Sequence, residues 1–97
     1  MPKYIALLNW TDQGMRGQQD SVKRARACRA GIEAMGGTMG EVLWTNGPYD
    51  VIVTFEVPDG ETAMKVRLAN IRLGNAHWTM LRAYGEKEME KLSGELA

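Results

Sequence analysis

The stretch WTNGPYDVIVTFEV, residues 44–57, decides the fold. From Tyr49 onward it is an almost unbroken run of apolar and β-branched residues, the composition of a well-buried strand. Ahead of it, Trp44 ends another apolar run, and Asn46-Gly47-Pro48 turns the chain, so the two halves read as a hairpin. Asn-Gly alone would set a two-residue turn. Pro48 forbids that, because the residues flanking such a turn exchange both hydrogen bonds and proline has no N–H to give. A four-residue connection over residues 45–48 is expected instead. It sets Trp44 opposite Tyr49, an aromatic cross-strand pair worth about 0.2–1 kcal/mol.

Working outward, KYIALLNW (3–10) is apolar on both alternating sets, which marks a strand central in its sheet. TDQGMRGQQD (11–20) is polar and turn-like. Asp20 or Ser21 then caps a helix in which Val22, Ala25, Cys28, Ile32 and Met35 recur at helical spacing, and Gly36-Gly37 supplies a left-handed stop. TMGEVLWTN (38–46) is the partner strand of the hairpin. Pro58 ends the following strand, and Asp59 caps a second helix with an expected stripe of Ala63, Met64, Leu68 and Ile71, closed by Gly74. NAHWTMLRAYG (75–85) alternates as a last strand. EKEMEKLSGELA (86–97) is a charged tail helix with only Met89, Leu92 and Leu96 to bury.

The order is that of a split βαβ pair, so the expected class is α+β: a ferredoxin-like βαββαβ unit with a four-stranded antiparallel sheet. Right-handed crossovers put both main helices on one sheet face, with the first and third strands in the centre. The 97 residues make one domain, 1–97, with a modest core that self-association would supplement.

Twelve basic and twelve acidic residues balance, which argues against a nucleic-acid partner. One cysteine excludes an intrachain disulfide and any multi-cysteine zinc site. With no targeting segment and no membrane-length apolar run, the expected location is cytoplasmic, with no membrane partner.

The second face of the sheet carries the functional expectation. Parity places Tyr4, Ala6, Leu8, Trp10, Ile52, Thr54, Trp78, Met80 and Tyr84 there, against Ile5, Leu7, Leu81 and the odd-numbered residues of 49–57 on the helix side. The hairpin register decides the side of Trp44. So apolar a face needs a cover, and a second copy of the same sheet is the simplest one, giving a homodimer. The polar residues that join these surfaces are Asn9, Asp50, Glu56, His77 and Arg82. Arg82 is a fork for carboxylates, ion-paired in the plainer reading with Asp50 or Glu56. His77 is the only side chain that titrates near neutrality by default, and a candidate base. Lys23, Arg24, Arg26 and Arg29 form a solvated helix face, with Arg29 within reach of Glu33. GMRG and GGTMG lack the strand–glycine loop–helix spacing of a phosphate cradle, and no serine sits in a nucleophile elbow.

Three stretches together, KYIALLNWTDQG, WTNGPYDVIV and LGNAHWTMLRAY, resemble the GYD-domain family, with Gly47, Tyr49 and Asp50 supplying the motif and Pro48 intervening. The resemblance runs from about Pro2 to Glu90 and implies the dimeric α+β barrel superfamily, in which two sheets pack into a barrel-like dimer. That superfamily includes cofactor-free monooxygenases, isomerases, haem-binding enzymes and ligand-sensing domains. The resemblance brings a fold and no assigned reaction.

The expectation is therefore a homodimeric small-molecule-binding protein with no cofactor and no metal site. Trp10, Trp44, Tyr49, Asp50, His77 and Arg82 would line its ligand site. Cofactor-independent oxygenation or isomerisation is the plausible reaction class, and a non-catalytic oligomerisation or ligand-sensing module is the alternative.

Overall fold

The computed structural model describes residues 1–96. Its elements are β1 (Lys3–Trp10), α1 (Asp12–Arg16), a 3-10 turn (Gln18–Asp20), α2 (Ser21–Ala34), β2 (Thr38–Trp44), β3 (Val51–Glu56), α3 (Gly60–Ile71), β4 (Ala76–Ala83) and α4 (Glu86–Glu95). The sheet order is β2-β3-β1-β4 with every neighbour antiparallel, so β1 and β3 are central. This is the ferredoxin-like α+β arrangement.

Several local signals form as read. The Asp59 carboxylate accepts the Thr62 N–H at 2.8 Å and caps α3. Gly36 and Gly74 follow α2 and α3 at φ +84° and +80°, the left-handed region that lets a helix end cleanly. Residues 11–20, read as a polar turn, are instead the short helix α1 and a 3-10 turn. Thr11 caps α1 by accepting the Gly14 N–H at 3.1 Å.

The register overturns the face assignment. Tyr4, Ala6 and Leu8 stand opposite Phe55, Val53 and Val51, and opposite Arg82, Met80 and Trp78 on the other side. These residues face the helices, while Ile5, Leu7, Ile52 and Leu81 form the open side. The expectation had β1 and β4 the other way round. A one-residue change of register moves a whole strand from one face to the other, and β1, apolar on both sides, gives no pattern to choose between them. The core confirms the observed side: Ala6 is fully buried, with Val53, Phe55, Val57, Ile32, Ala63 and Val66 around it and Trp78 nearly buried.

The hairpin also differs. Trp44 pairs with Val51, and Thr45 donates its backbone N–H to the Asp50 carbonyl at 2.9 Å, so residues 46–49 form the connection. Trp44 is thus on the helix side, but not opposite Tyr49. The stacked aromatic pair is Tyr4 with Phe55, ring centroids 5.6 Å apart. On the helices, Val22, Met64 and Leu68 are exposed; Ala63 and Val66 are the residues that α3 buries. Arg29 donates to the Gly40 carbonyl at 3.2 Å rather than pairing with Glu33. Gly40 lies beside a β-bulge between Met39 and Val42, where the Glu41 N–H turns to the Thr54 hydroxyl.

Candidate functional site

Helices α2 and α3 lie on the same sheet face yet touch each other only lightly. Between them a cavity of about 340 Å³ opens, floored by β1, β2, β3 and β4. Helix α2 leaves this room because it turns small or slim residues inward: Ala25, Cys28 and Gly31 line the wall, followed by Ile32. Helix α3 contributes Val66, Ala69 and Asn70, and the α3–β4 turn contributes Arg72, Leu73 and Asn75. Trp10, Trp44 and Trp78, the three tryptophans of the chain, all line it.

One end of the molecule gathers the polar part. There β1 and β2 end, β3 and β4 begin, α2 starts and α3 stops. A hydrogen-bonded corner holds this end together. The Thr11 N–H bonds to the Asn75 carbonyl at 3.1 Å, and the Gln13 amide reaches the Leu73 carbonyl and the Asn75 side chain, each at 2.9 Å. Gly14 is buried against Asn75, and a Cβ there would overlap the Asn75 carbonyl oxygen. Arg24, half-buried, donates to the Gly14 carbonyl at 3.2 Å. The sequence carried only a weak sign of this corner, a Thr11-x-x-Gly14 spacing after an apolar strand.

The 46–49 connection is tied to the same end. The Asp50 carboxylate accepts the Trp10 N–H at 2.8 Å, and the Asp50 N–H donates to the Leu8 carbonyl at 2.8 Å. The Asn9 amide donates to the Pro48 carbonyl at 2.6 Å. Asp50 therefore fixes the backbone that carries Trp10 into the cavity wall, a positioning role.

Of the six residues expected together, the cavity gathers Trp10 and Trp44. Tyr49 stays in the hairpin connection, its carbonyl accepting the Thr45 hydroxyl. His77 is exposed opposite Asn9, on the open sheet face. Arg82 faces the helix side at the far end of β4. It pairs with Glu88 of α4 at 3.2 Å and stacks over the Tyr84 ring at 4.2 Å, with its other donors on the Lys3 and Ala83 carbonyls. Asp50 and Glu56 are not its partners. A chain-terminal helix supplied the acid, which strand parity had no means of indicating.

Cys28 is the titratable group most changed by the cavity. Burial pushes its thiol up, outweighing the hydrogen bond to Asn70 and the nearby Arg29 charge that pull it down. It is a neutral thiol at physiological pH, and unlike an activated nucleophile. Among the described residues no group of His, Cys, Asp and Glu is arranged to hold a metal ion, and no helix is long and apolar enough to cross a membrane.

Comparison with known proteins adds the family. The family model of the GYD domain matches residues 4–92, nearly the whole chain. No curated protein and no solved structure gives a significant match. A match of that extent, on a chain whose Gly47 and Tyr49 sit in the connection at the cavity end and whose Asp50 directly follows it, leads to one conclusion: the chain belongs to the GYD-domain family.

Proposed function

We propose that this protein binds a small molecule in the cavity between α2, α3 and the sheet, and that it works as a homodimer joined through its open sheet face. The observation that carries the reading is the cavity itself: about 340 Å³, walled by every tryptophan of the chain, within the size range of small-molecule sites. Native cores leave few voids larger than a water molecule, so a space of this size in a 97-residue domain asks for an occupant.

The lining favours binding over acid–base catalysis. Among the described residues that form it there is no carboxylate and no imidazole, and Cys28 is held neutral. His77 projects from the other side of the sheet. Oxygenation or isomerisation without a cofactor would thus depend on reactivity intrinsic to the substrate. Native mass spectrometry of the protein as purified tests the reading. A retained small molecule, or tryptophan fluorescence that responds to added aromatic compounds, supports it.

The oligomerisation-module reading rests on a different observation. Ile5, Leu7, Leu43, Ile52 and Leu81 lie together on a sheet face that no helix covers, Leu43 and Leu81 being 49% and 45% exposed. A dimer that retains no small molecule and whose tryptophans ignore every compound added would favour that alternative.

A further inference from the structure

The charge of the cavity lining narrows what it takes. Arg24 and Arg72 are its two charged members, and no Asp or Glu lies among the described residues that form it. The acids of the same end point elsewhere in function: Asp50 accepts the Trp10 N–H, Asp12 opens α1, and Asp20 precedes α2, all outside the lining. Arg24 spends one donor on the Gly14 carbonyl, which orients its guanidinium and leaves further N–H groups. Arg72 follows the last turn of α3. The remaining wall is apolar and aromatic.

Resting on the cavity reading above, we propose that the cavity takes a flat, apolar molecule bearing one carboxylate, with the rings between Trp10, Trp44 and Trp78 and the carboxylate at Arg24 and Arg72. A guanidinium meets a carboxylate with two parallel hydrogen bonds, and a largely apolar surround strengthens that pairing. A phosphate is the poorer fit, because the chain lacks the glycine loop that presents backbone N–H groups to phosphate oxygens.

The test compares 1-naphthoate, its neutral analogue 1-naphthamide and 1-naphthyl phosphate by equilibrium dialysis against the full chain. Alkylation of Cys28 by iodoacetamide, the only thiol, reports whether each compound occupies the cavity. We expect 1-naphthoate to bind about tenfold or more tightly than 1-naphthamide, the gap expected of one charge-assisted hydrogen-bonded pair at about 1.4 kcal/mol per decade. Both compounds should slow alkylation. Arg24→Gln with Arg72→Gln should abolish the gap, and a retained cooperative thermal transition shows that the double variant is folded. Equal binding of acid and amide overturns the carboxylate and leaves the cavity reading standing. Tighter binding of 1-naphthyl phosphate than of 1-naphthoate, or a gap that survives the double variant, also overturns it. Failure of all three compounds to bind or to protect Cys28 overturns the cavity reading together with it.

Discussion

Along β1, Tyr4, Ala6, Leu8 and Trp10 are packed beneath α2 and α3, while Ile5 and Leu7, equally apolar, look out from a face that no helix covers. The two sides differ in composition as well as in shape. The helix side mixes the smallest residue, Ala6, with large rings, Tyr4 and Trp10, and this relief matches the facing helices and leaves the cavity. The open side sets five branched aliphatics, Ile5, Leu7, Ile52, Leu43 and Leu81, among Thr54 and Thr79, with Lys3, Asn9, Glu56 and His77 at its ends.

The sharpest way to break this comparison is to put a charge on each side in turn. Ala6→Arg drives a guanidinium beneath the helices beside Val53 and Met80, at a fully buried position outside the cavity lining. A buried unpaired charge is among the few changes that cost about 4 kcal/mol or more, a large part of the 5–15 kcal/mol that holds such a domain together. Loss of the cooperative thermal transition is expected. An Ala6→Arg protein that melts normally would mean the helix side has been misread.

Asp50→Ala strikes the brace between the hairpin connection and the cavity wall. The Trp10 N–H loses its acceptor, a loss of about 1–3 kcal/mol for a partly buried donor. At about 4–8 °C per kcal/mol for a domain of this length, calorimetry resolves it easily. Asp50→Asn keeps an acceptor oxygen and should recover part of the loss. If Asp50→Ala melts with the parent, the positioning role fails.

Leu81→Arg makes the matching change on the open side. The subunit should still fold, because surface substitutions usually stay within about 0.5 kcal/mol, and its melting temperature should fall only by what association contributes at the concentration used. The mass by sedimentation should instead fall from dimer to monomer. A wild-type monomer, or an unaltered dimer in the variant, removes the homodimer from the proposal.

The contrast explains how much could be read beforehand. Element order, the Asp59 cap, the glycine stops after α2 and α3 and the central position of β1 were legible, because each follows from local chemistry or from a strand apolar on both sides. The facing of β1 was not, since its two apolar sets are interchangeable until β3 fixes the register. That single ambiguity carried Trp78 and Arg82 to the wrong side and hid the cavity, leaving only Trp10 and Trp44 of the expected site in its wall. Arg24 and Arg72 were legible as charges but not as members of one cavity lining. The corner at Gly14 and Asn75, where Arg24 donates to the Gly14 carbonyl, is one that no periodicity announces.

The smallest expected effect concerns α4, which stands apart from the sheet and helices in a molecule 51 Å long and 18 Å thick. Its tether is Glu88, which accepts from the Gly85 N–H at 3.3 Å and pairs with Arg82. Those bonds, the Gly85 N–H first and Arg82 second, hold the Glu88 carboxyl below its ordinary range. Its folded pKa is thus the lower one, so the contribution is complete above the unfolded pKa of about 4.3 and is lost as pH falls through the folded value. Exposed pairs of this kind are weak and screened by salt. Acidification in that window, or Glu88→Gln at neutral pH, should therefore lower the protection factors of residues 86–95, with rates corrected for the intrinsic pH dependence of exchange, and leave those of β1 and β3 unchanged. The same hydrogen–deuterium experiment at high salt should show the gap between parent and Glu88→Gln narrowing. If exchange in β1 rose in step with α4, the tail would be part of the cooperative core, and Met89 and Leu92, exposed here, would have to be packed against it in solution.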